Sequence, residues 1–158
     1  MPPKFHYGLE KAGPELFREI MPILERHKEE IAHYPDIELD PDWNFYSRAQ
    51  EFGSLRVFTM RDQHQALVGY NIFLVSLNCH YKSSKQAKND ILYLLPELRR
   101  GRRGLEFINW CDGELKKEGV QVVYHHVKKD HNFGPALERA MGYELIDLIY
   151  GRRLDKWQ

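Results

Sequence analysis

The sequence has little from which to build a disulfide framework, a metal centre or a membrane span. Its two cysteines, Cys79 and Cys111, lie far apart in a strand-like and a helix-like segment, so both read as free, buried thiols. No stretch approaches the roughly 18 apolar residues of a spanning helix, and residues 1–19 lack an apolar core of signal-peptide length. A cytoplasmic protein with no membrane contact is the expectation. Neither sign of charge is in excess, with Lys plus Arg and Asp plus Glu at 23 each. No global positive field can therefore gather nucleic acid, and any anion site must be local. No internal repeat and no linker is visible, so residues 1–158 read as one domain, long enough to bury its own core. With 42% apolar and 29% charged residues, a disordered chain is excluded.

What is present is a clear alternation of strand and helix patterns. Residues 5–9 form a short first strand, and Gly13-Pro14 opens a helix whose face carries Leu16, Ile20, Ile23, Leu24 and Ile31, with a kink expected at Pro22. Pro41-Asp42 introduces an aromatic-rich helix over 43–52, stopped by Gly53. Residues 55–60 and 66–79 read as antiparallel strands joined by RDQHQ, the second apolar on both faces and therefore covered on both. A loop over 80–89, a fourth strand over 91–95, a helix ending at Lys116, Lys117 and Gly119, and a fifth strand over 120–127 follow. A helix over 132–141, ended by Gly142, and a last strand over 143–154 complete the chain. Strand, helix, strand across 91–127 predicts a parallel pair in a mixed sheet of about six strands, an α/β (α+β) architecture.

The most informative stretch is ILYLLPELRRGRRGLEFINWCDGELKK: a strand, a proline, an Arg-rich turn with glycines, then a helix. A helix N-terminus presents unpaired N–H groups and partial positive charge, so a phosphate placed there meets several donors at once. Gly101 and Gly104 clear side chains from the approach, and Arg99, Arg100, Arg102 and Arg103 can add charge-assisted bonds. A pyrophosphate fits this description. A bare Arg cluster is more often solvated surface or a nucleic-acid patch; here its position between strand and helix favours a cofactor turn.

This stretch resembles the acetyl-CoA motif of the GNAT acetyltransferase superfamily, a strand and proline followed by Arg/Gln-x-x-Gly-x-Gly/Ala opening a helix. Arg99 matches its first position and Gly104 its last, while Arg102 stands at the middle glycine and Gly101 falls one residue early. KKDHNFGPALERAMGYELI resembles the family's next motif, ending at Gly142-Tyr143. The resemblance covers about residues 55–154. It implies a GNAT-like fold with splayed fourth and fifth strands, acetyl-CoA as acyl donor, main-chain contacts near Leu92, Leu94 and Leu95, and direct attack of an amine on the thioester without a metal. His131 and Asn132 are the implied further cofactor contacts.

An attacking amine must be neutral and needs a proton acceptor. Asp90 is the first candidate base and Glu97 a weaker one. Where the family often places a leaving-group acid, a Tyr, this chain has Glu138, so Tyr124 is the substitute candidate. Trp43, Phe45, Tyr46 and Phe52 border the expected acceptor side, with Trp43 and Tyr46 the leading acceptor contacts; core packing is the even alternative. His125 and His126, with His131, could tempt a zinc reading, but adjacent strand residues point to opposite faces. The expected partner is a small-molecule or peptide amine, and a homodimer stays open. Two other readings keep the fold: a catalytically inert binding module, and a nucleic-acid-associated member using the Arg turn with Arg152 and Arg153.

Overall fold

A computed structural model describes residues 4–157. Five strands and four helices follow one another as β1 (His6–Glu10), α1 (Pro14–Ile31), α2 (Trp43–Glu51), β2 (Leu55–Arg61), β3 (Leu67–Leu77), β4 (Lys85–Leu94), α3 (Arg103–Lys117), β5 (Val122–Tyr124) and α4 (Gly134–Met141). The sheet order is β1-β2-β3-β4-β5, antiparallel through β4 and parallel between β4 and β5 across the α3 crossover. Helices cover both faces, which is why β3 is buried on both of its alternating sets. On one face Leu16, Ile20 and Ile23 of α1 and Ala49 of α2 meet Leu55, Val57, Tyr70, Ile72 and Tyr93. On the other, Phe107, Cys111 and Leu115 of α3 meet Phe58, Met60, Phe73, Val75 and Ala87.

Local chemistry explains most boundaries. The Asp42 side chain accepts a hydrogen bond from the Phe45 N–H at 2.9 Å and caps α2, while Gly142 at φ 71° closes α4. Helix α1 runs through Pro22, which sits on its exposed side.

Four expectations are corrected. The sheet has five strands, since residues 143–154 form none. β5 is three residues long rather than eight, because its pairing with β4 stops at Lys88–Tyr124 where the two strands part. β4 begins at Lys85, inside the expected loop. Its buried positions there carry Gln86 and Asn89, polar residues satisfied by Ser84, Asn78 and Asn71, so the alternation is hidden from hydropathy. Cys79 is exposed in the loop before β4, and only Cys111 is buried. No helix among the described residues is long and apolar enough to cross a membrane.

Candidate functional site

The register between β3 and β4 slips by one residue: Ile72 faces Ile91 and Phe73 faces Asn89, which leaves Asp90 as an unpaired extra residue, a β-bulge. A bulge re-aims the side chain it carries. The Asp90 carboxylate accepts a hydrogen bond from the Tyr46 hydroxyl, 2.7 Å away on α2. Burial, and then the hydrogen bond to Asp90, hold the Tyr46 phenol well above its usual range, so Tyr46 is a fixed neutral donor. Tyr46 is steadied by Trp43, whose ring lies 5.9 Å away and stacks on Phe17 at 4.5 Å. Of the four aromatics named above, Tyr46 meets Asp90, Trp43 joins the core, and Phe45 and Phe52 are exposed. Glu97 lies beyond β4, facing Arg26 at 3.6 Å.

Past Lys88, β4 has lost its β5 neighbour but continues to Leu94. The Leu95 N–H donates to the Val68 carbonyl at 3.0 Å. In an antiparallel ladder the inward and outward groups alternate, so Leu92 and Leu94 direct their main chain toward the opening. The Leu94 carbonyl is taken by Arg99 Nε at 2.7 Å, whereas no such side-chain bond to the Leu92 main chain occurs among the described residues. Tyr124, the last residue of β5, is half-buried opposite Lys88, two residues before Asp90.

The turn that follows makes one short 3-10 turn at Pro96–Leu98 and then needs a left-handed residue, which Gly101 supplies at φ 75°. The glycine one residue early is thus the conformational one, and a side chain at Gly104 would meet only open space in the free protein. Helix α3 starts after Arg102 with no side-chain cap, leaving its first N–H groups available to an anion. The four arginines divide. Arg99 makes a bidentate pair with Glu30 of α1, Nη2 to Oε2 at 2.9 Å, and lies over the Tyr93 ring at 4.8 Å. Arg103 donates to the Leu98 carbonyl at 3.1 Å and lies 4.7 Å over Phe5. Arg100 and Arg102 are exposed and have no ion pair among the described residues. Asn132 spends its side-chain oxygen on the Gly134 N–H at 2.9 Å, while His131 is exposed.

Sequence reasoning missed the residues behind Arg99. Glu30 is held below its usual range by the Arg99 hydrogen bonds first, then by the Tyr93 hydroxyl at 3.1 Å. Tyr93 stacks on His27 at 4.4 Å, and His27 Nδ1 lies 3.3 Å from the Tyr70 hydroxyl. Burial lowers the His27 pKa to about 4, so it is neutral at pH 7. The signal was available: Leu16, Ile20, Ile23 and His27 follow the four-three-four spacing of one helix face. On the α3 side a second polar set is buried. Tyr143 donates to Asp112 at 2.7 Å, and the other Asp112 oxygen and both His125 ring nitrogens have no partner among the described residues. Burial raises the Asp112 carboxyl to about 6 and lowers His125 to about 4. No cluster of three or more His, Cys, Asp or Glu side chains suited to a metal occurs among the described residues. The recess of about 330 Å³ between α1 and the loop at Pro35 and Leu39 lies apart from these groups; the candidate site is defined by the parted strands.

No family model matches the chain, and no curated relative matches it in sequence. Solved structures do match in shape. A ribosomal-protein-alanine N-acetyltransferase from Brucella melitensis biovar Abortus 2308 superposes with a TM-score of 0.70 at 13% identity, covering 96% of this chain and 99% of that one. A predicted acetyltransferase with acetyl-CoA from Clostridium acetobutylicum gives 0.71 at 12% identity, over 98% and 99%. An aminoglycoside acetyltransferase from an uncultured soil metagenomic sample, in complex with sisomicin, gives 0.68 at 14%, over 96% and 97%. Together with the strand order, these likenesses show that this chain has the fold of those acetyltransferases.

Proposed function

We propose that this protein transfers an acetyl group from acetyl-CoA to a primary amine by direct attack. The observation that carries the reading is the Asp90–Tyr46 pair, set by the β4 bulge at the edge of the β4–β5 opening. The opposite end of that opening leads to the Arg turn, where Arg100, Arg102 and the unpaired α3 N–H groups fit a pyrophosphate. Leu92 main-chain groups fit an extended amide-bearing arm between the two. The solved structures compared above are acetyltransferases, one with acetyl-CoA and one in complex with sisomicin, which supports both halves of the proposal.

The donor supplies an activated thioester; the chain supplies placement and proton handling. Asp90 accepts the proton of the attacking nitrogen, directly or through a water, and Tyr46 orients the carboxylate by holding one of its oxygens. Outward main-chain N–H groups of β4 stabilise the oxygen that gains charge during attack. Tyr124 gives a proton to the departing thiolate from the β5 side. Arg99 is a positioning residue: bound to Glu30 and to the Leu94 carbonyl, it fixes the turn against α1.

Calorimetric titration of the protein with acetyl-CoA tests the first half, with saturable binding expected below millimolar ligand and weakened by Arg100→Glu with Arg102→Glu. Thiol release on addition of primary amines tests the second. Absence of binding up to millimolar ligand overturns the whole proposal, and binding without release over a broad amine panel overturns its catalytic half.

A further inference from the structure

One face of β4 carries a polar row that the transfer chemistry uses only at one end. Lys88 pairs in register with Leu74 of β3 and with Tyr124 of β5, and register partners point to the same side of a sheet. Leu74 packs with Tyr46 in the cluster under α1 and α2, so Lys88 and Tyr124 stand on the α2 face, where Asp90 meets Tyr46. Strand rise sets Lys88 and Asp90 roughly 6–7 Å apart along β4. They are opposite charges, both exposed, yet they do not pair. Asp90 holds Tyr46, and Lys88 has no ion pair or hydrogen bond among the described residues. Lys85, three residues earlier, is by contrast spent on Glu118 at 3.0 Å.

On the side of Lys88 away from Asp90 the row ends in a recess of about 170 Å³, lined by Ser76, Cys79, Gln86 and Lys88. That is below the roughly 300 Å³ at which sites for whole drug-sized ligands begin, so the recess takes one substituent of a ligand. The Gln86 amide is already used, accepting from Asn78 at 2.8 Å and donating to Ser84 at 3.1 Å. No acidic side chain lines the recess, and Lys88 is its one charge. An uncompensated ammonium beside a small polar recess suits a small anion. We propose that the acceptor amine itself carries such an anion, a carboxylate or a phosphate, which Lys88 holds at the recess while the nitrogen stands at Asp90. The inference rests on the reading of Asp90 as the group that meets the amine. Two opposite, unpaired charges on one rigid strand match a zwitterion, amine toward Asp90 and anion toward Lys88. A neutral substituent leaves Lys88 unanswered and a second cation is repelled by it, so Lys88 selects among amines by charge.

NMR titration of the full chain with matched amines tests this without turnover, using O-phosphoethanolamine against ethanolamine and β-alanine against β-alaninamide. The anionic member of a pair should shift the Lys88 and Gln86 resonances at about tenfold lower concentration than its partner. Lys88→Gln should cut that ratio to about twofold, while Lys116→Gln, which removes an exposed charge on α3, keeps it. A ratio in the phosphate pair alone, or in the carboxylate pair alone, supports the site and names its anion. With acetyl-CoA added, thiol release per neutral amine should show the same ratio, carried by KM. Equal responses within both pairs, or a preference that survives Lys88→Gln, overturn the proposal; thiol release under those outcomes leaves the acetyl-transfer reading standing. Selective binding at Lys88 with no thiol release upholds the anion site and overturns the catalytic reading instead.

Discussion

Replacing Asp90 by Asn keeps the shape of the β4 bulge and an oxygen for Tyr46 to donate to, but removes the proton acceptor. A lysine-like amine, with a pKa near 10.4, is neutral in only about one molecule per thousand at pH 7.5, so a chain that catalyses attack must collect that proton. General-base loss typically costs about 10²–10⁴ in rate, or roughly 2.7–5.5 kcal/mol. Tyr46→Phe removes only one hydrogen bond to a charged group. Such bonds contribute about 1.5–3 kcal/mol, and because Asp90 is exposed we discount this one to about 1 kcal/mol, near fivefold in rate. Tyr46 acts through Asp90, so in the Asp90→Asn background the second change should cost less than about twofold. The assay is the initial rate of thiol release at saturating acetyl-CoA with an amine substrate, between pH 7 and pH 9, alongside calorimetric affinity for acetyl-CoA. Asp90→Asn should leave that affinity within about twofold and regain about tenfold in rate per pH unit as the amine deprotonates itself. Retention of more than a tenth of wild-type kcat at pH 7.5, or equal Tyr46→Phe effects in both backgrounds, refutes the assignment.

Gly101→Ala forces a left-handed alanine at φ 75°, so thermal melting should show a loss of about 1 kcal/mol, or roughly 2–4 °C. Gly104→Ala adds a Cβ in open space and should melt like wild type yet bind acetyl-CoA more weakly in a titration; unchanged affinity removes close approach of the ligand to that turn. His27 protonates in the unfolded chain near 6.5 but in the native one only near 4, so its neutral form supports stability at pH 7 that is lost as pH falls from 6.5 toward 4. His27→Gln should flatten the decline in Tm between pH 7 and pH 4.5 by about 2–3 kcal/mol, and a parallel decline in both proteins rejects the burial argument. Asp112 works with the opposite sign, because its native carboxyl at about 6 loses stability as pH rises through that value. Asp112→Asn should gain about 1–2 kcal/mol on wild type between pH 4 and pH 8, read as a growing difference in Tm.

Helices α1 and α3 were legible because three- and four-residue spacing of Leu16, Ile20 and Ile23, or of Leu105, Ile108 and Cys111, encodes a face within the sequence itself, and α2 because Pro41-Asp42 opens it and Gly53 stops it. The start of β4 was not, because Gln86 and Asn89 are buried by partners elsewhere in the chain rather than by their own hydropathy. The last strand was misread for a related reason. Residues 143–154 have strand composition, but a strand is a property of a pair, and the free chain offers this one no partner. At the site, Asp90 and Tyr46 could each be named from the sequence, yet their hydrogen bond joins residues 44 apart and depends on a one-residue slip in the ladder. The engagement of Arg99 with Glu30, across 69 residues, was invisible for the same reason, and it changes Arg99 from a cofactor contact to a positioning residue in our reading.

The three-pair ladder between β4 and β5 makes the sheet mechanically unequal. β1 to β4 are bound through long antiparallel registers, whereas β5 and all that follows hang on three residues, the α3 crossover and side-chain anchors such as Tyr143–Asp112. Residues 122–157 should therefore open at a lower free energy than β1 to β4, widening the very gap a ligand must enter. Amide exchange in the native state should sort the chain along that seam, slow in β2 and β3 and fast beyond Val122, with the fast half quieted by whatever fills the gap.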